Sequence, residues 1–229
     1  MTTALHISPQ LIEQFNHAAS LARQGMFEES LVAWERLLNP TEAEKRERRI
    51  STGDFLGQAM MRKAWVMMDL RGHKQARAVL EDEVLQACLG QFDTETLYEY
   101  WFSYANVLGN LGDLQPMDDA FCRAMHIAAD QLGDTARMHQ CWNNLLAWAE
   151  ESGAWNYLSS EADGCLEYCR NVDDRVLHGV AQLYKGMALA RMGLATEARA
   201  LVQPVLAQAE EHMLDNLVAR CREIMRLCG

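Results

Sequence analysis

Apolar residues recur three and four positions apart through most of the chain. Near the start the series runs Leu11, Phe15, Ala18, Ala19, Ala22, then Leu31, Trp34, Leu37, Leu38. Such spacing lays one apolar stripe along a helix. No sustained apolar/polar alternation is bounded by turns, so strands are not expected. Helix-start signals fall where periodic runs begin. Ser8 sets a capping hydroxyl before Pro9, a residue suited to the first helical position. Thr41 and Glu44 have capping-box spacing. Asp93, Asp134 and Asp173 each precede a new run, where an acid caps free N–H groups and favours the helix dipole.

The stop signals repeat. Runs break at Gly25, Gly72, Gly112, Gly153 and Gly193, with separations of 47, 40, 41 and 40 residues. Glycine ends a helix cheaply because it adopts positive φ. A period near 40 holding two amphipathic helices indicates a repeat array. The pattern predicts five helical hairpins. Their first helices cover 9–24, 54–71, 95–111, 135–152 and 174–192; their second helices cover 27–39, 73–89, 114–132, 154–171 and 195–212. A last helix, 214–227, covers the exposed end, as terminal repeats must. In the fourth hairpin Trp142 is expected to fill an inter-helix core.

These residues resemble the tetratricopeptide repeat family. There a helix ends in Gly after a small residue seven places earlier, and a second helix carries a small residue about five places on. Gly186, Gly193 and Ala198 are in register, as are Ala18, Gly25 and Ser30, followed by Trp34 and Pro40. The fourth repeat has Trp142 and Leu145 before Gly153. The third has Ala105 and Gly112 but needs about three extra residues to reach Ala120. The second places Trp65 where a small residue belongs, and Ala76 comes one residue early. The period looks like that of the longer-helix variants in peptide-sensing bacterial regulators and kinesin-light-chain-like arrays. The resemblance implies an all-α fold, a right-handed α-solenoid of about five hairpins plus a capping helix. A generic α-solenoid is the alternative.

Composition narrows the function classes. The 229 residues (26.0 kDa) read as one domain, 1–229, with no linker or low-complexity tract. Four Pro and 14 Gly are too few turn residues for a sandwich or barrel. A net charge of −11 argues against nucleic acid as a partner, because that binding rests on many Lys/Arg–phosphate contacts. The longest uncharged run, Tyr100 to Gly112, has 13 residues, too short to span a bilayer. Neither a basic leader nor an apolar one begins the chain. Seven Cys, an odd number, fit reduced thiols and a cytoplasmic location. The segment 39–54 carries a basic island, Lys45, Arg46, Arg48 and Arg49. It reads as a solvated helical extension with Glu42, Glu44 and Glu47 pairing along it, or as a docking patch for an acidic partner.

No phosphate-cradling, dinucleotide-binding, zinc-protease or serine-elbow motif is present. Cys122 and His126 are four apart, as are Cys165 and Cys169, so each pair shares a helix face. A zinc site needs three or four ligands, and Cys packs well as a small hydrophobe. Cys221 and Cys228 read as a packed face, and Met60, Met61, Met67 and Met68 as packing between helices. No metal, cofactor or catalytic residue is expected.

The family resemblance implies a concave surface lined by first helices, which holds extended peptides or helices. The inward positions, ten and six residues before each break, are Phe15 and Ala19, Arg62 and Val66, Phe102 and Asn106, Asn143 and Ala147, Leu183 and Met187. Asn106 and Asn143, with Asn144, sit mid-helix where Asn has poor propensity. Their amides offer the donor and acceptor that a peptide backbone needs. The competing role for these amides is to cap, or bond across, adjacent helices. Arg62, with Lys63, resembles a fragment of the carboxylate clamp some family members use, and Phe102 supplies an apolar anchor. The third repeat lacks the clamp's basic residues. The expected function is a non-enzymatic binding module for a protein or peptide: an adaptor, chaperone or assembly factor. A ligand- or peptide-sensing regulator is the alternative, and a helical enzyme or metal protein the third. The first and last helices offer self-association surfaces for a homodimer.

Overall fold

The structure, a computed structural model, describes residues 9–39 and 53–229. The Thr41–Glu44 box and the basic island at 45–49 lie outside the described residues. Twelve α-helices and no strand occur among the described residues. By contacts the chain divides into two compact units, Met1–Gly133 and Asp134–Gly229.

The first unit holds three hairpins. Helix α1 (Pro9–Arg23) pairs with α2 (Phe27–Leu38). Helix α3 (Gly53–Asp69) pairs with a broken second helix, α4 (His73–Leu80) and α5 (Glu83–Cys88). Helix α6 (Thr94–Leu111) pairs with α7 (Leu114–His126), which runs on as a π-helical turn over Ile127–Leu132. Helix α1 packs on α2 and α3, α2 on α3, α3 on α4, α5 and α6, α4 on α5 and α6, and α6 on α7, so contacts stay between near neighbours, as in a repeat array. The second unit holds α8 (Thr135–Glu151) with α9 (Trp155–Val172), α10 (Arg175–Arg191) with α11 (Ala195–Glu211), and α12 (Asp215–Leu227). Helix α12 packs on both α10 and α11 and covers Ile224 and Cys221 against Val202 and Met187.

Small residues set the crossings. Ser30 is fully buried, and its Oγ donates to the Ala18 carbonyl at 2.8 Å, so α1 and α2 approach closely without an orphaned hydroxyl. At Gly186 a Cβ would collide with Val202 on α11, so only glycine fits that crossing.

Four of the five expected break glycines hold positive φ: Gly25, Gly112, Gly153 and Gly193. The second does not. Arg71 takes the left-handed conformation (φ 59°), and Gly72 precedes α4 with φ −84°. Moving the break by one residue corrects the register. Ala64, fully buried, is then the small residue seven places earlier, Ala76 the one five places on, and both misfits of the second repeat vanish. A side chain in that conformation costs about 1–2 kcal/mol relative to a right-handed one. Glycine returns part of this through unfolded-state entropy. Arg71→Gly is therefore expected to stabilise the chain by about 0.5–1 kcal/mol in urea unfolding. A net loss would mean that Arg71 earns its place through its side chain.

Two further expectations need correction. The second helix of repeat two is not continuous over 73–89. It stops at Leu80, and Asp82 caps α5 by accepting from the Val84 N–H at 2.9 Å. Between Asp173 and Asp174, the second is the cap of α10, accepting from Leu177, while Asp173 is left-handed (φ 53°). Asp93 and Asp134 cap as expected, accepting from Thr96 and Arg137.

Candidate functional site

The candidate residues fall in both units, Arg62, Phe102 and Asn106 in the first and Asn143 and Asn144 in the second.

In the first unit Arg62 projects from α3 between Trp65 and α6. Its guanidinium lies 4.1 Å over the Trp65 ring and 3.9 Å from a Glu99 carboxylate oxygen. Trp65 in turn donates its indole N–H to Ser103 Oγ at 2.7 Å, so α3 and α6 are joined twice along one edge. Lys63 points elsewhere: its ammonium meets Glu35 of α2 at 3.5 Å. The two cations are thus split between opposite neighbours and do not form the clamp fragment expected of them. The register shift has the same effect on Val66, which is buried in the α1–α2 core together with Trp34 and Ala18. Leu183 and Met187 are core residues too and line no surface.

Phe102 is half-buried on α6. Its ring stacks on Tyr98 at 5.7 Å and meets Phe121 of α7 edge-on at 6.1 Å. Asn106, one turn on, donates its amide N–H to the Phe102 carbonyl at 2.8 Å, and Asn110 does the same to the Asn106 carbonyl at 3.0 Å. These i to i−4 bonds are local, so the two amides form a ladder along one stripe of α6 with Glu99 at its other end. Asn110 was missed in sequence, although its four-residue spacing from Asn106 was there to be read.

In the second unit Asn143 is exposed on α8 and makes no side-chain hydrogen bond to any described residue. Gln140 and Ala147 are exposed on the same stripe, giving a neutral, amide-bearing surface. Asn144, a residue further round, is half-buried.

Three of the seven thiols are kept protonated by burial. Burial pushes Cys165 up well beyond the usual thiol range, and burial likewise raises Cys169 and Cys221. Such thiols stay protonated and are poor nucleophiles. Cys122 is exposed, while His126 Nδ1 pairs with Asp130 at 2.7 Å. No group of three or more metal-ligating side chains occurs among the described residues.

One polar pair was not anticipated. His139 of α8 hydrogen-bonds to Asp174, the cap of α10. Burial works to raise the Asp174 carboxyl, but the Leu177 N–H and His139 outweigh it and hold it below the usual carboxylate range. A depressed folded pKa contributes stability above the unfolded value and loses it as pH falls through the folded value. Asp174→Ala should therefore cost about 1–2 kcal/mol at neutral pH, the range for a lost cap. That gap should shrink below about pH 4, where the unfolded carboxylate protonates. Urea unfolding of both proteins against pH measures it; a gap that persists at pH 2–3 would place the effect outside the carboxylate.

The sequence matches no family model and no curated protein. Solved structures match over nearly the whole chain. A kinesin light chain from Podosopora anserina with nearly identical tetratricopeptide-like repeats superposes with a TM-score of 0.66 at 16% identity, covering 91% of this chain and all of that one. The fold is tetratricopeptide-like. The apo form of RapI aligns at a TM-score of 0.65 and 11% identity, over 94% of this chain and 71% of that one. A signal-transduction ATPase from Pyrococcus horikoshii, whose sensor is a tetratricopeptide repeat region, aligns at 0.58 and 12% identity, over 93% of this chain and 30% of that one. The tetratricopeptide-like register accounts for both small residues around Arg71 and for Ser30 beneath α1. It also explains the four left-handed break glycines. No helix among the described residues is long and apolar enough to cross a membrane.

Proposed function

We propose that this chain is a non-enzymatic module that holds a protein or peptide segment on the surface of its first helices. The observation that carries the reading is Asn143. An exposed mid-helix amide with no hydrogen-bond partner among the described residues costs helix propensity, which favours a use outside the chain. The Asn106–Asn110 ladder and the half-buried Phe102 add an amide stripe and an apolar anchor in the first unit. Arg62, held by Trp65 and Glu99, orients an acidic group at the edge of that stripe. The raised thiols weigh against nucleophilic catalysis. An adaptor, chaperone or assembly factor in the cytoplasm fits this behaviour. A sensing regulator is the second reading, favoured by the likeness to an ATPase whose repeat region is a sensor. Capture of partners from native lysate on the full chain, with mass spectrometry, tests the proposal. A recurring protein lost with the Asn106→Ala/Asn143→Ala variant supports it; the same proteins on both baits would overturn it.

A further inference from the structure

We propose that a cavity on the opposite face of α6 receives an arginine side chain from a basic protein partner, and that Arg123 occupies this site in the free chain. The cavity, about 390 Å³, lies inside the first unit and is walled by Trp101 and Tyr104 of α6, Glu81 and Gln86 at the broken second helix, and Asp119 and Arg123 of α7. Its volume falls within the range of about 300–1,000 Å³ typical of ligand pockets. At 100° per residue, Trp101 and Tyr104 sit roughly 120–180° around α6 from the midpoint of Phe102 and Asn106. The site is therefore separate from the amide stripe.

The break at Glu81 and Asp82 opens the cavity, and tertiary bonds keep it open. The Leu80 carbonyl, freed from the helix, accepts from Tyr100 Oη at 3.0 Å and from Gln86 Nε2 at 2.7 Å. Gln86 also donates to Tyr100 Oη at 2.5 Å. Tyr104 Oη donates to Glu81 at 2.6 Å, and Arg77 Nε donates to the same carboxylate at 2.8 Å. Burial acts to raise Glu81, but these donors keep it below the usual carboxylate range, so it stays ionised at neutral pH, paired with Arg77.

Arg123 shows what the aromatic wall accepts. Its guanidinium lies 4.3 Å from the centre of the Trp101 ring. To reach that ring it forgoes Asp119, four residues earlier on α7, which instead accepts from Gln115 at 3.3 Å. Asp119 stands at the i, i+4 spacing at which opposite charges pair on a helix. A guanidinium arriving from outside can thus take the Trp101 face, while Arg123 swings to Asp119 and its charge stays matched. The planar guanidinium stacks on indole and forks to carboxylates, which an ammonium does not. The net charge of −11 draws such a partner in.

The test uses the full chain and acetyl-Gly-Arg-Gly-amide, followed by the indole N–H resonance of Trp101. The same peptide with citrulline, a neutral isostere of arginine, is the control. The arginine peptide should shift the Trp101 signal and the citrulline peptide should not. Arg123→Gln, a surface change, removes the internal occupant and should tighten binding by about threefold or more, because the competent fraction rises. Trp101→Leu should abolish binding; if it fails to fold, Arg123→Gln still decides. Asn106→Ala/Asn143→Ala should leave this binding unchanged. Equal binding of the citrulline peptide, or an Arg123→Gln protein that binds no more tightly, would overturn the proposal. Free arginine binding as well as the peptide would overturn the protein partner.

Discussion

Trp142→Ala is expected to lower the stability of the folded chain by about 3 kcal/mol. The indole of Trp142 leaves α8 and packs against the cluster formed by Leu146, Leu158, Ala162, Cys165 and Ala181. Its edge comes so near α9 that a Cβ at Gly164 would touch it at 3.4 Å, and the Tyr168 ring stands 6.4 Å away. Trp-to-Ala changes in cores cost about 3–5 kcal/mol. Two features place this one at the lower end. The ring is only partly buried, and its Nε1 is buried without a partner among the described residues, so truncation also removes a desolvation cost. Urea unfolding monitored by far-ultraviolet circular dichroism measures the loss. A change below about 1 kcal/mol would mean that the ring faces solvent and that the register of the fourth hairpin is wrong.

That register was legible because it rests on local chemistry. The glycines at 25, 112, 153 and 193 close helices through their own backbone, and Asp93 and Asp134 cap with their own side-chain carboxylates. Ambiguity arose where two neighbours offered the same chemistry. Gly72 looked like the second break, yet Arg71 takes the left-handed turn and glycine follows it. Asp173 and Asp174 are both acids before α10, and only the second reaches the Leu177 N–H. The break after Leu80 was hidden for a different reason. Its carbonyl is satisfied by Tyr100, a residue of another helix, so the device that makes the break tolerable is tertiary. The candidate site divides in the same way. Asn106 bonds one turn back, which spacing reveals, whereas Lys63 turns away from Arg62 because Glu35 waits on α2. The cavity beside Trp101 needs both the hidden break and the far face of α6, and no stripe along the chain announces it.

Asn106→Ala together with Asn143→Ala should weaken a cognate partner at least about tenfold and leave folding intact. Asn143 has no side-chain hydrogen bond among the described residues, so its removal leaves no partner stranded. Alanine is also the better helix former, by up to about 0.7 kcal/mol. Asn106 gives up its bond to the Phe102 carbonyl, but that oxygen belongs to a helical residue, and such back-bonding competes with the helix ladder. For Asn143→Ala, thermal stability should therefore stay level or rise slightly. Binding behaves differently. A peptide amide that loses its partner at a closed interface costs about 1–3 kcal/mol, and about 1.4 kcal/mol is already tenfold in affinity. The single variants separate the two units: Asn143→Ala alone should account for most of the loss if the partner relies on the exposed amide. Affinity for a captured partner, measured beside melting curves for each variant, distinguishes the two roles of these residues. Unchanged affinity with a sharply lowered melting temperature would make the amides structural and end their assignment to a partner.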